Sequence, residues 1–329
     1  MIQAKRHQIA HFGFADAHDG VRTAPIDLDR SIGLRDGAAG KHDVMDIPRD
    51  FPRLLRLQDP RVAHADDSGG VLQIVKRDAH DWDVDSPPTL VTTRSGRAIV
   101  ASANKNGLLS ILDRSRVTHG PTPSDLSSVL PLLSETPTTT RLNVDLPLSR
   151  NHSTHFCPGI QGGNEWNGAA YSPQTNSLYA AAVDWCANVQ LKRDTINIPA
   201  PGKGYWFGAE TPQAQIQDPP DRASGWLTSF DAENGGVRWK YHAPHPMLAA
   251  VTPTAGGLVF AADLGGHLYA MDASTGRVLW QTDTGLSMGG GIVTYIAGGR
   301  QLVGVASGMK SPIWPGGSSQ SRILILGLR

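Results

Sequence analysis

GWLTSFDAENGGVRW (residues 225–239) and GHLYAMDASTGRVLW (residues 266–280) align without a gap at an offset of 41 residues. Leu227 matches Leu268, Asp231 matches Asp272, Gly235 matches Gly276 and Trp239 matches Trp280. A weaker copy, GLLSILD (107–113), places Gly107 and Asp113 159 residues before Gly266 and Asp272, close to four such spacings. Each copy reads as a strand that ends on an Asp, whose carboxylate starts a hydrogen-bonded turn. A Gly then supplies positive φ, and a new strand carries the Trp. A spacing of about 40 residues with several short strands per unit means propeller blades, which bury their faces only by stacking on one another. The large face of the Trp is suited to covering a neighbouring blade.

Further strand-length apolar runs lie around these copies: RAIVASA (97–103), LLSILD (108–113), SLYAAAV (177–183), GLVFAAD (257–263), QLVGVAS (301–307) and RILILGL (322–328). Gly, Asn, Asp or Ser bounds each of them. The sequence therefore predicts an all-β fold. Repeats of the WD type put Trp-Asp at a strand end, whereas here the Trp follows the Asp by eight residues. Gly285-Leu286-Ser287-Met288-Gly289 fits the G-x-S-x-G pattern of a hydrolase nucleophile. That elbow needs a helix after it, and Gly290-Gly291 is a poor helix start, so a hydrolase is not expected.

Composition narrows the field. The 329 residues carry 30 Lys+Arg and 30 Asp+Glu, a balance that argues against a nucleic-acid groove. No run of 18 apolar residues is present, so no membrane-spanning helix is expected. The N-terminus shows no apolar core of a signal peptide. Residues 1–80 contain no Glu, Asn, Tyr, Trp or Cys, and strand-like alternation begins only near Val71. The chain divides accordingly into an atypical segment, 1–70, and a blade-forming region, 71–329. The first is expected to be irregular, and either foreign to the rest (a shifted reading frame, for instance) or an unusual but genuine extension; RLLRL (53–57) within it reads as a short helix or strand.

Four further segments carry a resemblance: RDAHDWDVDSPPTLV (77–91), ASANKNGLLSILDR (101–114), CPGIQGGNEWNGAAYSP (157–173) with LYAAAVDWC (178–186), and the closing run from PHPMLAAVTP to VGVASG (244–308). Together with the D-x-x-x-G-x-x-x-W repeats, they resemble the C-terminal part of the β-propeller of the pyrroloquinoline-quinone (PQQ)-dependent, or quinoprotein, dehydrogenases that oxidise alcohols, methanol or glucose. The resemblance implies an incomplete quinoprotein-type propeller with PQQ and calcium, or a lanthanide, as cofactors. It implies a small alcohol or sugar as substrate, a cytochrome or quinone as electron acceptor, and a periplasmic setting.

Carried over residue by residue, the resemblance makes Asp83 the catalytic base and a metal neighbour. Asp85 becomes an added metal ligand, as in lanthanide-using members, although a turn-capping Asp before Ser86-Pro87 is the alternative. Lys105 takes the place of the cation that hydrogen-bonds the quinone oxygens; the plain alternative is a Lys in an Asn106-Gly107 hairpin turn. Glu165 and Trp166 fall at the cofactor-binding stretch, where many members carry Asn before the Trp. Cys157 and Cys186, the only two cysteines, match a family disulfide. Asp81, Asp83 and Asp85 mimic an EF-hand opening, but no Gly follows at the sixth position and Thr92 stands where Glu is needed. The family's remaining metal ligands, the Trp under the quinone and the vicinal cysteine pair have no counterpart, so this chain alone is expected to hold PQQ weakly or not at all. A non-catalytic propeller scaffold is the competing reading.

Overall fold

Each bounded apolar run becomes a strand, and the strands gather into small antiparallel sheets. The structure, a computed structural model, describes residues 74–75, 78–115, 132–193, 208–212, 215–317 and 320–327. The compositionally odd segment, with its 53–57 stretch, lies outside them. Among the described residues there is no α-helix; a short 3-10 turn lies at Pro220–Arg222.

The first blade orders β1 (Thr89–Thr92), β2 (Ala98–Ala103), β3 (Leu108–Asp113) and β4 (Leu132–Pro137) in sequence. The second is built from β6 (Ala169–Ser172), β7 (Ser177–Asp184), β9 (Ser224–Asp231) and β10 (Val237–Ala243). The third comprises β11 (Thr252–Pro253), β12 (Leu258–Ala262), β13 (His267–Asp272) and β14 (Val278–Asp283). The fourth has three strands, β15 (Ile292–Ala297), β16 (Arg300–Ser307) and β17 (Arg322–Gly327). The first strands β1, β6, β11 and β15 lie side by side. Thr89 Oγ1 donates to the Ala169 carbonyl (2.6 Å) and Thr252 Oγ1 to the Ile292 carbonyl (2.6 Å) along this inner row.

Strand alternation explains the stacking, because neighbouring side chains point to opposite faces. On β7, Leu178 and Ala180 pack with Ile99, Leu109 and Ile111 of the first blade. Tyr179 and Ala181, between and beside them, pack with Val259, Tyr269 and Met271 of the third. On β12, Val259 and Ala261 face the second blade, while Leu258, Phe260 and Ala262 face Val303 and Val305 of the fourth. A one-residue slip would send every one of these side chains to the wrong neighbour.

The repeated turn adds a lock between blades. Asp231 accepts from the Glu233 amide (2.8 Å), and the Gly235 amide reaches back to the Asp231 carbonyl (2.8 Å). Asp272 and Gly276 repeat the turn. Trp239 then lies over the third blade's turn and donates its indole N–H to the Ala273 carbonyl (3.0 Å). Tyr179 Oη donates to the same carbonyl (2.9 Å), so one backbone oxygen anchors two aromatic rings.

The second blade departs from the simple repeat. Between β7 and β9 the chain leaves the sheet, and β8 (Ala187–Val189) pairs with β5 (Thr154–Phe156) in a separate two-stranded ribbon. Neither three-residue strand is among the sequence expectations. At the far end, β17 pairs with β16 as the last strand of its sheet among the described residues.

Candidate active site

The HDWD segment is shaped by its first carboxylate. Asp78 accepts the His80 amide (2.9 Å) and the Trp82 amide (2.8 Å), folding residues 78–82 into a tight turn in which Asp81 takes φ +67°. Such a conformation costs a non-Gly residue, though least for Asn and Asp. Trp82 is buried, stacks on His80 at 4.2 Å between ring centres, and donates its indole N–H to the Gly159 carbonyl (3.1 Å). With residue 82 fixed, Asp81 and Asp83 both reach Lys105.

Lys105 sits in the turn between β2 and β3, as the Asn-Gly pair suggests, but its side chain is buried. Its Nζ lies 3.2 Å from Asp81 Oδ2 and 3.2 Å from Asp83 Oδ2. The lysine side chain is 8% exposed, against 70% and 65% for the two acids. An enclosed ammonium thus faces two carboxylates whose remaining oxygens look outward. Burial works against the Lys105 charge, but Asp81, hydrogen bonds to Asp81 and Asp83, and the Glu165 charge outweigh it and raise its pKa.

Glu165 closes the other side. Burial, followed by the charge of and a hydrogen bond with Asp85, pushes its carboxyl up to about 8, against the pull of Lys105. Asp81, Asp83 and Glu165 therefore gather around one ammonium, with Asp85 bonded to Glu165. Hard oxygen donors in excess of the local positive charge fit a hard multivalent cation. Trp166 serves a different neighbour. Its indole N–H donates to the Gly289 carbonyl (3.0 Å) and its ring meets Trp314 edge-on at 6.4 Å.

The sequence-selected residues thus separate into a convergent set (Asp83, Lys105, Asp85 and Glu165) and Trp166, which bridges to the loops of the fourth blade. Asp81 joins the convergent set although the sequence offered it only within the rejected EF-hand pattern; its alternation with Asp83 and Asp85 was the available signal. Cys157 and Cys186 form a disulfide, with Cα atoms 4.4 Å apart. The β5–β8 register, Phe156 opposite Ala187, places them directly across the ribbon. Cys186 also lies near His155 and Asp218, but its sulfur is committed to the disulfide. Ser287 is buried and donates to the Gly316 carbonyl, with no helix following, as the elbow argument requires.

The chain is 32% identical over 155 residues to the lanthanide-dependent methanol dehydrogenase of Methylacidiphilum fumariolicum, covering 47% of this chain and 25% of that protein. It is 26% identical over 261 residues to the quinoprotein ethanol dehydrogenase of Pseudomonas aeruginosa, covering 71% and 39%. Among solved structures, a europium-containing methanol dehydrogenase matches with a TM-score of 0.55 at 25% identity, over 70% of this chain and 40% of that one. Over its C-terminal part the chain is similar to PQQ-dependent, quinoprotein dehydrogenases. The chain spans between a quarter and two-fifths of the length of those curated proteins. A family model described as "Outer membrane protein assembly factor BamB" matches residues 222–309. Those residues hold both tryptophan repeats and none of Asp83, Asp85, Lys105 or Glu165.

Proposed function

We propose that the carboxylate–lysine cluster is one wall of a PQQ- and metal-dependent centre for oxidising an alcohol or sugar. The observation that carries this reading is the enclosed Lys105 ammonium held 3.2 Å from both Asp81 and Asp83, beside the Asp85–Glu165 pair. Asp83 is the group to take the substrate hydroxyl proton, since its carboxylate lies 3.2 Å from Lys105 and its outer face is open. Lys105 is the cation to stabilise charge developing on a quinone oxygen. Asp83 and Asp85 are the residues to hold calcium or a lanthanide, with Glu165 and Trp166 flanking the cofactor. When bound, the quinone accepts two electrons and the metal acts as a Lewis acid.

A relative named quinohemoprotein alcohol dehydrogenase supports an alcohol as substrate, and one named lupanine 17-hydroxylase [cytochrome c] supports a cytochrome as electron acceptor. The Cys157–Cys186 disulfide suits an oxidising compartment, in keeping with a periplasmic protein.

The described residues supply one wall, so the whole chain is expected to take up PQQ weakly. The test titrates it with PQQ in the presence of calcium or lanthanum, following quinone absorbance. Expected is weak binding that requires the metal and is lost in K105A and D83N. Tight, saturable binding would refute the one-wall reading, and binding indifferent to metal and to both substitutions would refute the cofactor assignment. A propeller used as a protein-assembly scaffold is favoured by a single observation, the family-model match over 222–309. That match covers the blade repeats alone, and a scaffold gives no reason for a buried lysine facing two aspartates and a glutamate.

A further inference from the structure

One loop, residues 157–165, reaches every part of the cluster. At its start Cys157 is tied to Cys186 across the β5–β8 ribbon. Two residues on, the Gly159 amide donates to the Trp185 carbonyl (2.8 Å), a second tie to the same junction. The Gly159 carbonyl accepts the Trp82 indole, and Trp82 is the residue between Asp81 and Asp83. Next, Gly162 packs so closely on Lys105 that a Cβ there would lie 2.5 Å from the Lys105 Cβ. The Gly163 amide donates to the Lys105 carbonyl (2.8 Å), and the Gly163 carbonyl accepts the Val183 amide (2.7 Å). The loop ends at Glu165, hydrogen-bonded to Asp85. Phe156, just before the disulfide, meets Trp82 edge-on at 6.1 Å.

We propose that the Cys157–Cys186 disulfide and Trp82 are positioning elements for this cluster. The closed disulfide holds Gly159 where its carbonyl fixes Trp82, and through Trp82 fixes the two aspartates against Lys105. The inference deepens the function proposed above, since the braced cluster is the one assigned there. Its measurement needs neither quinone nor metal, so the two ideas fail separately. Opening the brace is a balanced dithiol exchange. A thiolate of an external dithiol attacks the Cys186 sulfur, which is partly exposed while Cys157 is buried. The Cys157–Cys186 bond breaks, and Cys157 leaves as a thiolate and takes a proton. The reductant's second thiol then displaces Cys186, so the dithiol becomes a disulfide and gives two electrons and two protons to the protein.

The readout is acylation of Lys105 by an amine reagent at fixed pH, followed residue by residue by mass spectrometry on the full chain. Lys310, which is exposed, serves as the internal standard. In the oxidised protein Lys105 is expected to react far more slowly than Lys310. Reduction, or C186S, is expected to raise Lys105 reactivity about tenfold by local opening while Lys310 stays constant and unfolding stays cooperative. W82F removes the indole N–H but keeps an aromatic ring, and is expected to give a similar rise with the disulfide intact. If C186S does not fold, mild reduction of the folded protein and W82F carry the test. Lys105 protection unchanged by reduction and by W82F would overturn the proposal. So would a uniform rise at every lysine, which would mean general loosening instead of a brace.

Discussion

Glu233 ties the first two blades together at a point no local pattern foreshadows. Its carboxylate accepts from Thr93 Oγ1 (2.8 Å), Ser95 Oγ (2.6 Å), the Ser95 amide (3.0 Å) and Asn176 Nδ2 (3.0 Å). The Ser95 hydroxyl bond leads in lowering its pKa to about 2, against the effect of burial, with the Ser95 amide, Thr93 and Asn176 adding to it. A carboxyl depressed below its unfolded value of about 4.3 adds stability that is present above that pH and lost as pH falls toward the folded value. E233Q is expected to cost about 1–2 kcal/mol at neutral pH, a figure reduced for solvent screening. The gap to the parent protein should close in acid, as the parent carboxyl protonates; denaturant melts at pH 7, 4 and 2.5 measure it. A constant gap across that range would show that shape, not charge, holds the junction. The sequence disclosed the turn built on Asp231 and Gly235, whose bonds are local. Glu233 reads there as one more turn residue, because its main partner Ser95 is 138 positions away. The same holds for Asp81, whose partner Lys105 is 24 positions away.

Strands were legible where an apolar run ends abruptly at a turn former. LLSILD is β3 residue for residue, and SLYAAAV differs from β7 by one residue at its end. β4, LLSETP, shows no such alternation because it is the blade's outer strand, with exposed and half-exposed side chains throughout. β5 and β8 are three residues each and owe their pairing to the adjacent disulfide, so periodicity had nothing to register. The tryptophan lock is the element-scale feature that can be dissected most cleanly. Gly276 has φ +72°, and a Cβ there would lie 2.5 Å from Cε3 of Trp239; Gly257 has φ +79° with nothing within 4 Å. G257A therefore meets only the backbone penalty of about 1–2 kcal/mol. G276A meets that penalty and displaces a packed indole, for a total of about 2–4 kcal/mol. Thermal or denaturant unfolding of the two variants isolates the docking contribution as their difference, and equal losses would mean that Trp239 yields without cost.

At the scale of the molecule, stacking by sheet faces leaves a consequence at the last blade. Its inner face packs Ile292, Val303, Val305, Leu324 and Leu326 against the third blade. By alternation, Val293, Tyr295, Ile323 and Ile325 stand on the opposite face, around a Gly304 whose added Cβ would touch Val293, Tyr295 and Ile325. All four are exposed, Ile323 at 79%. The boundaries between neighbouring blades cover such rows, so this face carries the composition of a buried surface in contact with solvent. Apolar patches of that kind drive association. The double substitution I323K/I325K charges this face without touching Leu324 or Leu326, the side chains of β17 that hold the blade. Light scattering against concentration is expected to show less self-association than in the parent protein, with a thermal midpoint shifted by no more than a surface change of about 0.5 kcal/mol allows. A cooperative loss of stability would instead mean that this face is covered in the parent protein. Unchanged association would place the sticky surface elsewhere, with the exposed Leu90 on the first blade as the next site to charge.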